Sequence, residues 1–330
     1  MDTREMDTQE LQQEMDWARQ RLERARKAIA AAVVGQKRMI DGLFMGILAG
    51  GHVLLEGVPG LAKTLAVKSL SQSIDASFKR IQFTPDLLPA DLTGTLVYRQ
   101  ETGEFIPRKG PVFSNIILAD EINRAPAKVQ SALLEAMEEK QVTLGDTTYP
   151  LPEPFFVLAT QNPIEHEGTY PLPEAQLDRF LLKILVDYPD AEEEREILRR
   201  TGSGVPLPVE RVLFSGDIRR LREIVGRVSV DERIEAYIVA LVGASREKKR
   251  LATYSRYIEF GASPRASICL YRSAKVQAFF EGRTYVMPED VKTVAPAVLR
   301  HRIVLSYEAE SEELSADEVV KNLLGAVPVP

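Results

Sequence analysis

The stretch GVPGLAKT, Gly57–Thr64, has the residue types and spacing of a loop that binds phosphate. In such a loop, consecutive backbone N–H groups surround the phosphates, a lysine reaches the β- and γ-phosphates, and the following hydroxyl ligates Mg²⁺. Lys63 and Thr64 occupy these last two positions. The residues expected to contact the nucleotide are Gly57, Val58, Pro59, Gly60, Leu61, Ala62, Lys63, Thr64 and Leu65.

The loop departs from the usual G-x-x-x-x-G-K-[ST] pattern at Ala62, where a second glycine is typical. Ala62 still supplies its N–H, and we expect alanine to enter the following helix without strain. The preceding HVLLEG is typical of a buried strand, and the following KTLAVKSLSQSI has helical apolar spacing. A strand, a loop and a helix N-terminus in this order form an anion site, whereas the alternative is a simple glycine-rich turn.

Asp120 and Glu121 end the apolar run IILADE, which predicts a strand whose carboxyl end lies beside the phosphate loop. We expect Asp120 to hold Mg²⁺, directly or through water, and Glu121 to polarise the attacking water. The alternative is that both acids only stabilise the N-terminus of the helix PAKVQSALLEAMEE.

Asn162 and Arg179 are further candidates for ATP chemistry. Asn162 follows the apolar run FFVLAT, where a neutral amide can hydrogen-bond both water and the γ-phosphate, although Asn-Pro is also a turn signal. Arg179 could neutralise the charge that develops on the γ-phosphoryl oxygens, and a neighbouring chain can supply such an arginine. The alternative for Arg179 is a surface ion pair with Asp178.

Arg265 lies in GASPRAS, where Ser263 predicts an N-cap and Pro264 the first helical residue. The helix dipole disfavours a cation in the first turn of a helix. An anion such as a nucleotide phosphate would resolve that conflict, so we add Arg265 to the candidate site.

Short apolar runs and helical stretches alternate between about residues 50 and 187, which predicts an α/β fold. Five runs rich in Val, Ile and Leu are typical of parallel strands covered on both faces: HVLLEG, FKRIQF, NIILAD, FFVLAT and LLKILV. The segments TLVYRQETGEFIP and QVTLGDTTYPL predict β-hairpins, with turns at Thr102-Gly103 and Gly145-Asp146.

Helical segments flank this α/β region. An apolar stripe predicts an amphipathic helix within residues 1–30. The cluster TGSGVPLP predicts a linker at 201–208, between a nucleotide-binding core at 31–200 and a smaller all-helical lid at 209–330. The residues of the stripe are Leu11, Met15, Ala18, Leu22, Ala25 and Ile29.

Helix-start signals recur in the lid region. Ser229 and Glu232 predict a capping box, and Pro288 and Ser315 predict the starts of two further helices. The basic run Arg246–Arg250 is expected at a helix end, where cations complement the dipole; a ligand-binding patch is the alternative.

Composition and charge argue against several classes of protein. The formal net charge of −6 argues against a chain that holds nucleic acid by bulk positive charge. The single cysteine, Cys269, excludes an internal disulfide and a cysteine metal cluster. The N-terminus lacks the features of a signal peptide, and no apolar run approaches about 18 residues, so we expect a cytoplasmic protein.

The segments GVPGLAKT, ILADEINRAP, LATQNPIEHEGTYPLPEAQLDRF and GASPRA resemble the MoxR family of AAA+ ATPases. The resemblance spans roughly residues 30 to 300, and the alanine in the loop is similar to the form that this family uses. It implies a P-loop core with two hairpin inserts, a helical lid, and hydrolysis of Mg-ATP. By position, Gly57–Thr64 would be the Walker A loop, Asp120 and Glu121 Walker B, and Asn162 the first sensor.

The resemblance also implies roles for residues outside these motifs. Arg179 would be the arginine finger that acts on the adjacent subunit's ATP, and Arg265 the second sensor in the lid. The segment VVGQ, with Val34 and Gly35, is similar to the segment that borders adenine. His166 stands where the family would have glutamine, and we attach no function to it.

The resemblance implies a ring, by family expectation a hexamer, that acts on a protein client by chaperone-like maturation or metal-cofactor insertion. The family often works with a partner that carries a von Willebrand factor A domain. A finger supplied in trans itself implies a head-to-tail interface, and such interfaces close into rings. Tyr98 and Phe105 of the first hairpin could touch a client, or could simply pack against the sheet.

Two other functions share the same ATP site. A nucleic-acid motor or clamp-loader-type ATPase would bind DNA in a salt-dependent way, and the acidic balance argues against it. A nucleotide-gated assembly scaffold would bind ATP and seldom hydrolyse it. The combination of acid, sensor and finger argues against the scaffold.

Overall fold

The computed structural model describes residues 3–58, 60–163, 168–202, 208–247 and 256–330, without the side chains of residues 3–9, 201 and 202. Pro59, His166, most of the predicted linker and residues 248–250 of the basic run lie outside the described residues. The strands are β1 (Val53–Glu56), β2 (Phe78–Gln82), β3 (Gly94–Arg99), β4 (Glu104–Lys109), β5 (Ile116–Asp120), β6 (Gln141–Leu144), β7 (Thr147–Pro150), β8 (Phe156–Gln161), β9 (Leu182–Leu185), β10 (Ile258–Phe260) and β11 (Val304–Leu305).

Helices cover both faces of the sheet and make up most of the C-terminal region. They are α1 (Thr3–Ala32), α2 (Lys37–Ala49), α3 (Lys63–Ser73), α4 (Pro89–Thr93), α5 (Ala127–Glu139), α6 (Glu174–Leu177), α7 (Ala191–Gly202), α8 (Ser215–Gly226), α9 (Glu232–Ala244), α10 (Pro264–Phe280), α11 (Pro288–Leu299), α12 (Tyr307–Ser311) and α13 (Ala316–Ala326). No helix in the described ranges is long and apolar enough to cross a membrane.

The five predicted strands form one parallel sheet in the order β2-β5-β8-β1-β9, which confirms the predicted α/β class. Strand β5 is buried along its whole length, as expected for a strand covered on both faces. Because all five strands are parallel, their carboxyl ends lie at one edge of the sheet and their amino ends at the other.

The two predicted hairpins are present, β3 with β4 and β6 with β7. The two hairpins are in contact, because Leu96 of the first packs against Gly145 of the second. A Cβ added to Gly145 would lie 2.6 Å from Cδ1 of Leu96, so the leucine occupies the space that a larger residue would need. Tyr98 and Phe105 pair across the first hairpin with ring centroids 5.3 Å apart. Both rings remain mostly exposed, at 52% and 66%, so they do not pack against the main sheet.

The C-terminal helical region differs from the prediction in two details. Strands β10 and β11 form a short antiparallel pair, so the region is not all-helical. The N-cap of α9 is Asp231, which accepts a hydrogen bond from Arg233 N, and not Ser229. Ser229 is extended because its backbone pairs with the segment before α11. Helices α11 and α13 begin at Pro288 and directly after Ser315, as predicted.

One hydrophobic core contains residues of the sheet, of the N-terminal helices α1 and α2, and of the helices that follow the sheet in the sequence. Helix α1 packs on α3 and α8 and contributes a stripe of almost fully buried side chains. A second cluster fills the other face of the sheet under α5. The buried residues of α1 are Met15, Ala18, Leu22, Ala25 and Ile29.

His52 joins three elements at the amino end of β1. Its Nδ1 accepts a hydrogen bond from Val157 N in β8 at 3.0 Å, and its Nε2 lies 3.2 Å from Met137 O in α5. An Nδ1 that accepts requires the neutral ring, with the proton on Nε2 donated to the Met137 carbonyl. Burial lowers the pKa of His52 from 6.5 to about 4, although the hydrogen bond to Met137 opposes this shift.

We expect the free energy of unfolding to fall as the pH drops from about 6.5 to about 4. In this range the unfolded chain protonates His52 and the folded chain does not, so the unfolded state binds more protons. The part of this loss that is due to His52 should reach about 3 kcal/mol at pH 4. Urea denaturation of the wild type and of His52→Gln between pH 4 and 7 measures it. An equal loss in both proteins would contradict the role of His52.

Candidate nucleotide site

The predicted phosphate loop connects β1 to α3 at the carboxyl edge of the sheet. Helix α3 begins at Lys63, whose Nζ donates to Gly57 O at 2.6 Å. Gly60 has a φ of 88°, which a glycine adopts without strain. The N-terminus of α3 therefore faces the loop, and its free N–H groups and dipole favour an anion there.

Ala62 adopts the left-handed conformation, with φ 55° and ψ 19°, at the N-cap of α3. The expectation that alanine enters the helix without strain is therefore wrong. A Cβ in this conformation costs about 1–2 kcal/mol, and glycine avoids that cost. The backbone conformation gives a physical reason for the glycine that is typical at this position.

Lys63 is partly buried beneath the loop. Desolvation lowers the pKa of its ammonium group, while Asp120, Glu121 and Glu56 act in the opposite direction. The hydrogen bond of the ammonium goes to a neutral carbonyl, Gly57 O. A phosphate oxygen would be a stronger acceptor for the same donor, because it is charged.

Asp120 ends β5 and is almost fully buried. Its Oδ1 accepts a hydrogen bond from Thr160 Oγ1 at 2.6 Å, and its Oδ2 pairs with Arg80 at 2.7 Å. The same Thr160 hydroxyl accepts from Glu121 N at 2.8 Å. Asp120 is thus fixed from β8 on one side and from β2 on the other.

Glu121 follows Asp120 with a φ of 56°, so the chain turns sharply where β5 ends. One carboxylate oxygen, Oε2, accepts from Gln82 Nε2 at 2.8 Å and pairs with Arg124 at 3.2 Å. Sequence reasoning missed Gln82 and Arg80. Their signal is the i, i+2 spacing of two polar residues in the predicted strand FKRIQF, which puts both on one face.

Asn162 is buried directly after β8, which lies between β5 and β1. We expected Asp120 to lie directly beside the phosphate loop. Instead β8 separates β5, which carries Asp120, from β1, which leads into the loop, so Asn162 lies between Asp120 and the loop. The loop is joined to β8 by the hydrogen bond from Gly57 N to Gln161 O at 3.3 Å. The structure brings the loop, the two acids and Asn162 to one edge.

Val34 and Gly35 lie at the same edge, before α2. Gln36 Nε2 donates to Asp187 O at 3.0 Å, just beyond the carboxyl end of β9. Strand β9 is the neighbour of β1, so this segment borders the predicted phosphate loop. The carboxylate of Glu193 lies against Gly35 and would meet an added Cβ at 2.4 Å.

Arg179 and Arg265 lie at the opposite, amino edge of the sheet. Arg179 precedes β9, whose four residues at about 3.3 Å each separate the two edges by about 13 Å. Arg179 Nε lies 3.2 Å from Glu138 Oε2, and Arg265 pairs with the other oxygen, Oε1. Glu138 therefore supplies the anion expected near Arg265. The alternative for Arg179, a surface ion pair with Asp178, does not form, because Asp178 pairs with Arg302 instead.

A cavity of about 400 Å³ surrounds these two arginines. Lys140 and Arg272 also line it, so four cations face two acids, Glu138 and Asp178. Neither Arg179 nor Arg265 is brought to the phosphate loop of its own chain. The excess positive charge suits an anionic group from another molecule.

The donor atoms at the carboxyl edge fit Mg-ATP. The Thr64 hydroxyl and the Asp120 carboxylate are hard oxygen donors, and Lys63 offers a partly desolvated cation for phosphate. Among the residues whose placement is described, no cluster of three or more His, Cys, Asp or Glu could hold a metal.

Comparison with known proteins gives a consistent result. The model of the ATPase family associated with various cellular activities (AAA) matches residues 52–182, and that of the AAA lid domain matches 252–323. Chaperone MoxR1 of Mycobacterium tuberculosis is 51% identical over 94% of this chain and 82% of its own length. Protein MoxR of Methylorubrum extorquens is 34% identical over 96% of each chain. The crystal structure of a candidate ATPase from Cytophaga hutchinsonii superposes with a TM-score of 0.92 at 51% identity, over 98% of this chain and 99% of that one.

We expect Ala62→Gly to raise the free energy of unfolding by up to about 1.6 kcal/mol. Removing the left-handed penalty gains about 1–2 kcal/mol, and the greater freedom of the unfolded chain takes back about 0.4–1 kcal/mol. Ala62→Val is the matched control and should destabilise, because a β-branched residue tolerates positive φ least. Urea denaturation measures both, and a glycine variant less stable than the wild type would refute the strain.

Proposed function

The chain belongs to the MoxR family of AAA+ ATPases, and from that premise we propose that the carboxyl edge of its sheet is the ATP site. The chain binds nucleotide, hydrolyses ATP and has a chaperone-like role. The observation that supports the proposed site is the convergence of the loop 57–64, Asp120, Glu121 and Asn162 at one sheet edge.

Each side chain at this edge is proposed to perform one step. Lys63 and the loop N–H groups hold the phosphates, and Thr64 with Asp120 would hold Mg²⁺. Glu121 takes a proton from the attacking water, and Asn162 orients that water against the γ-phosphate. ATP would supply the γ-phosphoryl group, and Mg²⁺ held by Thr64 and Asp120 would neutralise part of the negative charge that develops on it.

We further propose that chains assemble head to tail into a ring, with six subunits as the expected number. Arg179 and Arg265 lie at the sheet edge opposite the phosphate loop of their own chain, and along β9 the two edges are about 13 Å apart. Both line a cationic cavity together with Glu138, a partly exposed carboxylate that pairs with each of them. In a ring, the γ-phosphate of the ATP bound to the next chain would replace Glu138 as the partner of Arg179 and Arg265. Each ATP site would then be completed in trans.

We propose that the ring remodels a protein client by maturation or metal-cofactor insertion, together with a partner that carries a von Willebrand factor A domain. Relatives of this chain are named as a chaperone and as MoxR proteins. The exposed pair Tyr98 and Phe105 gives the first hairpin an apolar surface that an unfolded segment could contact.

Glu121→Gln should retain ATP binding and lose at least about a hundredfold in turnover, because an amide cannot accept the proton of the attacking water. The glutamine can still accept a hydrogen bond from Gln82, so the loop geometry should persist. Turnover by phosphate release and binding of a fluorescent ATP analogue test this. Glu139→Gln, an exposed substitution on α5, is the control. Unchanged turnover in Glu121→Gln would remove Glu121 from the mechanism.

Arg179→Ala and Glu121→Gln should each be inactive alone and recover activity when mixed. An Arg179→Ala chain keeps its own site intact and can use the arginine of a Glu121→Gln neighbour. Random equimolar mixing should restore roughly a quarter of the wild-type rate, since half of the sites are intact and half of those meet Arg179. A mixture that stays inactive would exclude action in trans.

A further inference from the structure

The three residues after α11, Arg300 to Arg302, bind the segment that carries Arg179. Arg300 Nη1 donates to Lys183 O at 3.0 Å, and His301 Nε2 is hydrogen-bonded to Phe180 O at 3.1 Å. Arg302 makes further bonds to this segment. Consecutive residues of the helical region are thus fixed to one short stretch of the core.

Arg302 is the most enclosed of the three, with a side chain that is 1% exposed. Its Nε donates to Asp178 Oδ1 at 2.8 Å. Its terminal nitrogens donate to the carbonyl of Asp178 at 3.0 Å, to that of Leu181 at 3.3 Å, and to that of Phe180. A fork of donors therefore holds the backbone on both sides of position 179.

Asp178 connects the same arginine to the start of α10. Its second oxygen, Oδ2, accepts from Ser263 Oγ at 2.8 Å. Ser263 is the N-cap of α10 and accepts from Arg265 N at 3.1 Å. Arg179 is the next residue after Asp178, so one network of Arg302, Asp178 and Ser263 adjoins both cavity arginines.

We propose that Arg302, acting through Asp178, is the positioning residue that sets Arg179 and Arg265 for the ATP of the neighbouring chain. The inference rests on the proposed trans site and adds a residue to it. The exposed carboxylate Glu138 holds the two side chains only at their tips. Arg302 instead holds the backbone from which Arg179 projects, and no lysine could form the same fork of bonds.

Arg302→Lys tests this inference, because it keeps the charge and removes the fork. We expect kcat to fall by about ten- to a hundredfold, as for a displacement of about 1 Å at a reacting group. KM for ATP should change less than about threefold, because the phosphate loop of the same chain lies at the other sheet edge. Mixed with Glu121→Gln, Arg302→Lys should regain the same share of activity as Arg179→Ala in the same mixture.

Arg283→Lys is the matched control. Arg283 binds Asp290 through two hydrogen bonds, at 2.7 and 2.5 Å, beyond the far end of α10 from Arg265. It should lower the thermal midpoint as Arg302→Lys does and leave kcat unchanged. If Arg302→Lys does not fold, Asp178→Asn is assayed in the same way. Asparagine has the same shape as aspartate but lacks the negative charge that binds Arg302.

The mixtures separate this inference from the proposed ring. If Arg179→Ala recovers with Glu121→Gln and the position-302 variant does not, Arg302 only stabilises the fold and the inference is wrong. If neither mixture recovers, the trans site itself fails and the inference fails with it. Wild-type kcat in Arg302→Lys would also overturn it.

Discussion

The polarity of the parallel sheet is the constraint on which the rest of the structure depends. Five strands that run in one direction collect their carboxyl ends at one edge, where the loop 57–64, Asp120 and Asn162 converge. The amino ends collect at the other edge, where Arg179 and the start of α10 lie. Under the proposed trans site, a single chain would carry one half of an ATP site at each edge, and contact between chains would join the halves.

Local patterns were sufficient to predict the strands, the hairpins and the acids at strand ends, because each depends on residues close in sequence. They could not predict the left-handed Ala62, since residue type does not fix φ. The local pattern also predicted the wrong N-cap for α9, Ser229 instead of Asp231, because the backbone of Ser229 pairs with a segment distant in sequence. Arg80, Glu138 and Arg302 gain their roles from contacts made far apart in sequence, which no short motif encodes.

The two kinds of ion pair at the arginine edge differ in how easily they exchange partners. Glu138 and its arginines are each about a third or more exposed, and such pairs contribute at most about 1 kcal/mol. The side chain of Arg302 is 1% exposed and that of Asp178 is 18% exposed, and breaking a buried ion pair typically costs about 3–5 kcal/mol. The tips of the cavity arginines can therefore change partners while the backbone that carries Arg179 stays in place.

The hydrophobic core that runs from α1 through the sheet into the C-terminal helices has a mechanical consequence. Separating those helices from the sheet would expose apolar surface to water, at a free-energy cost of about 25 cal/mol for each Å² exposed. We therefore expect the sheet and the C-terminal helices of one chain to move together as a unit. In the proposed ring, motion powered by ATP would then occur at the contacts between subunits, and the paired hairpins, which lie outside the main sheet, would carry it to a client.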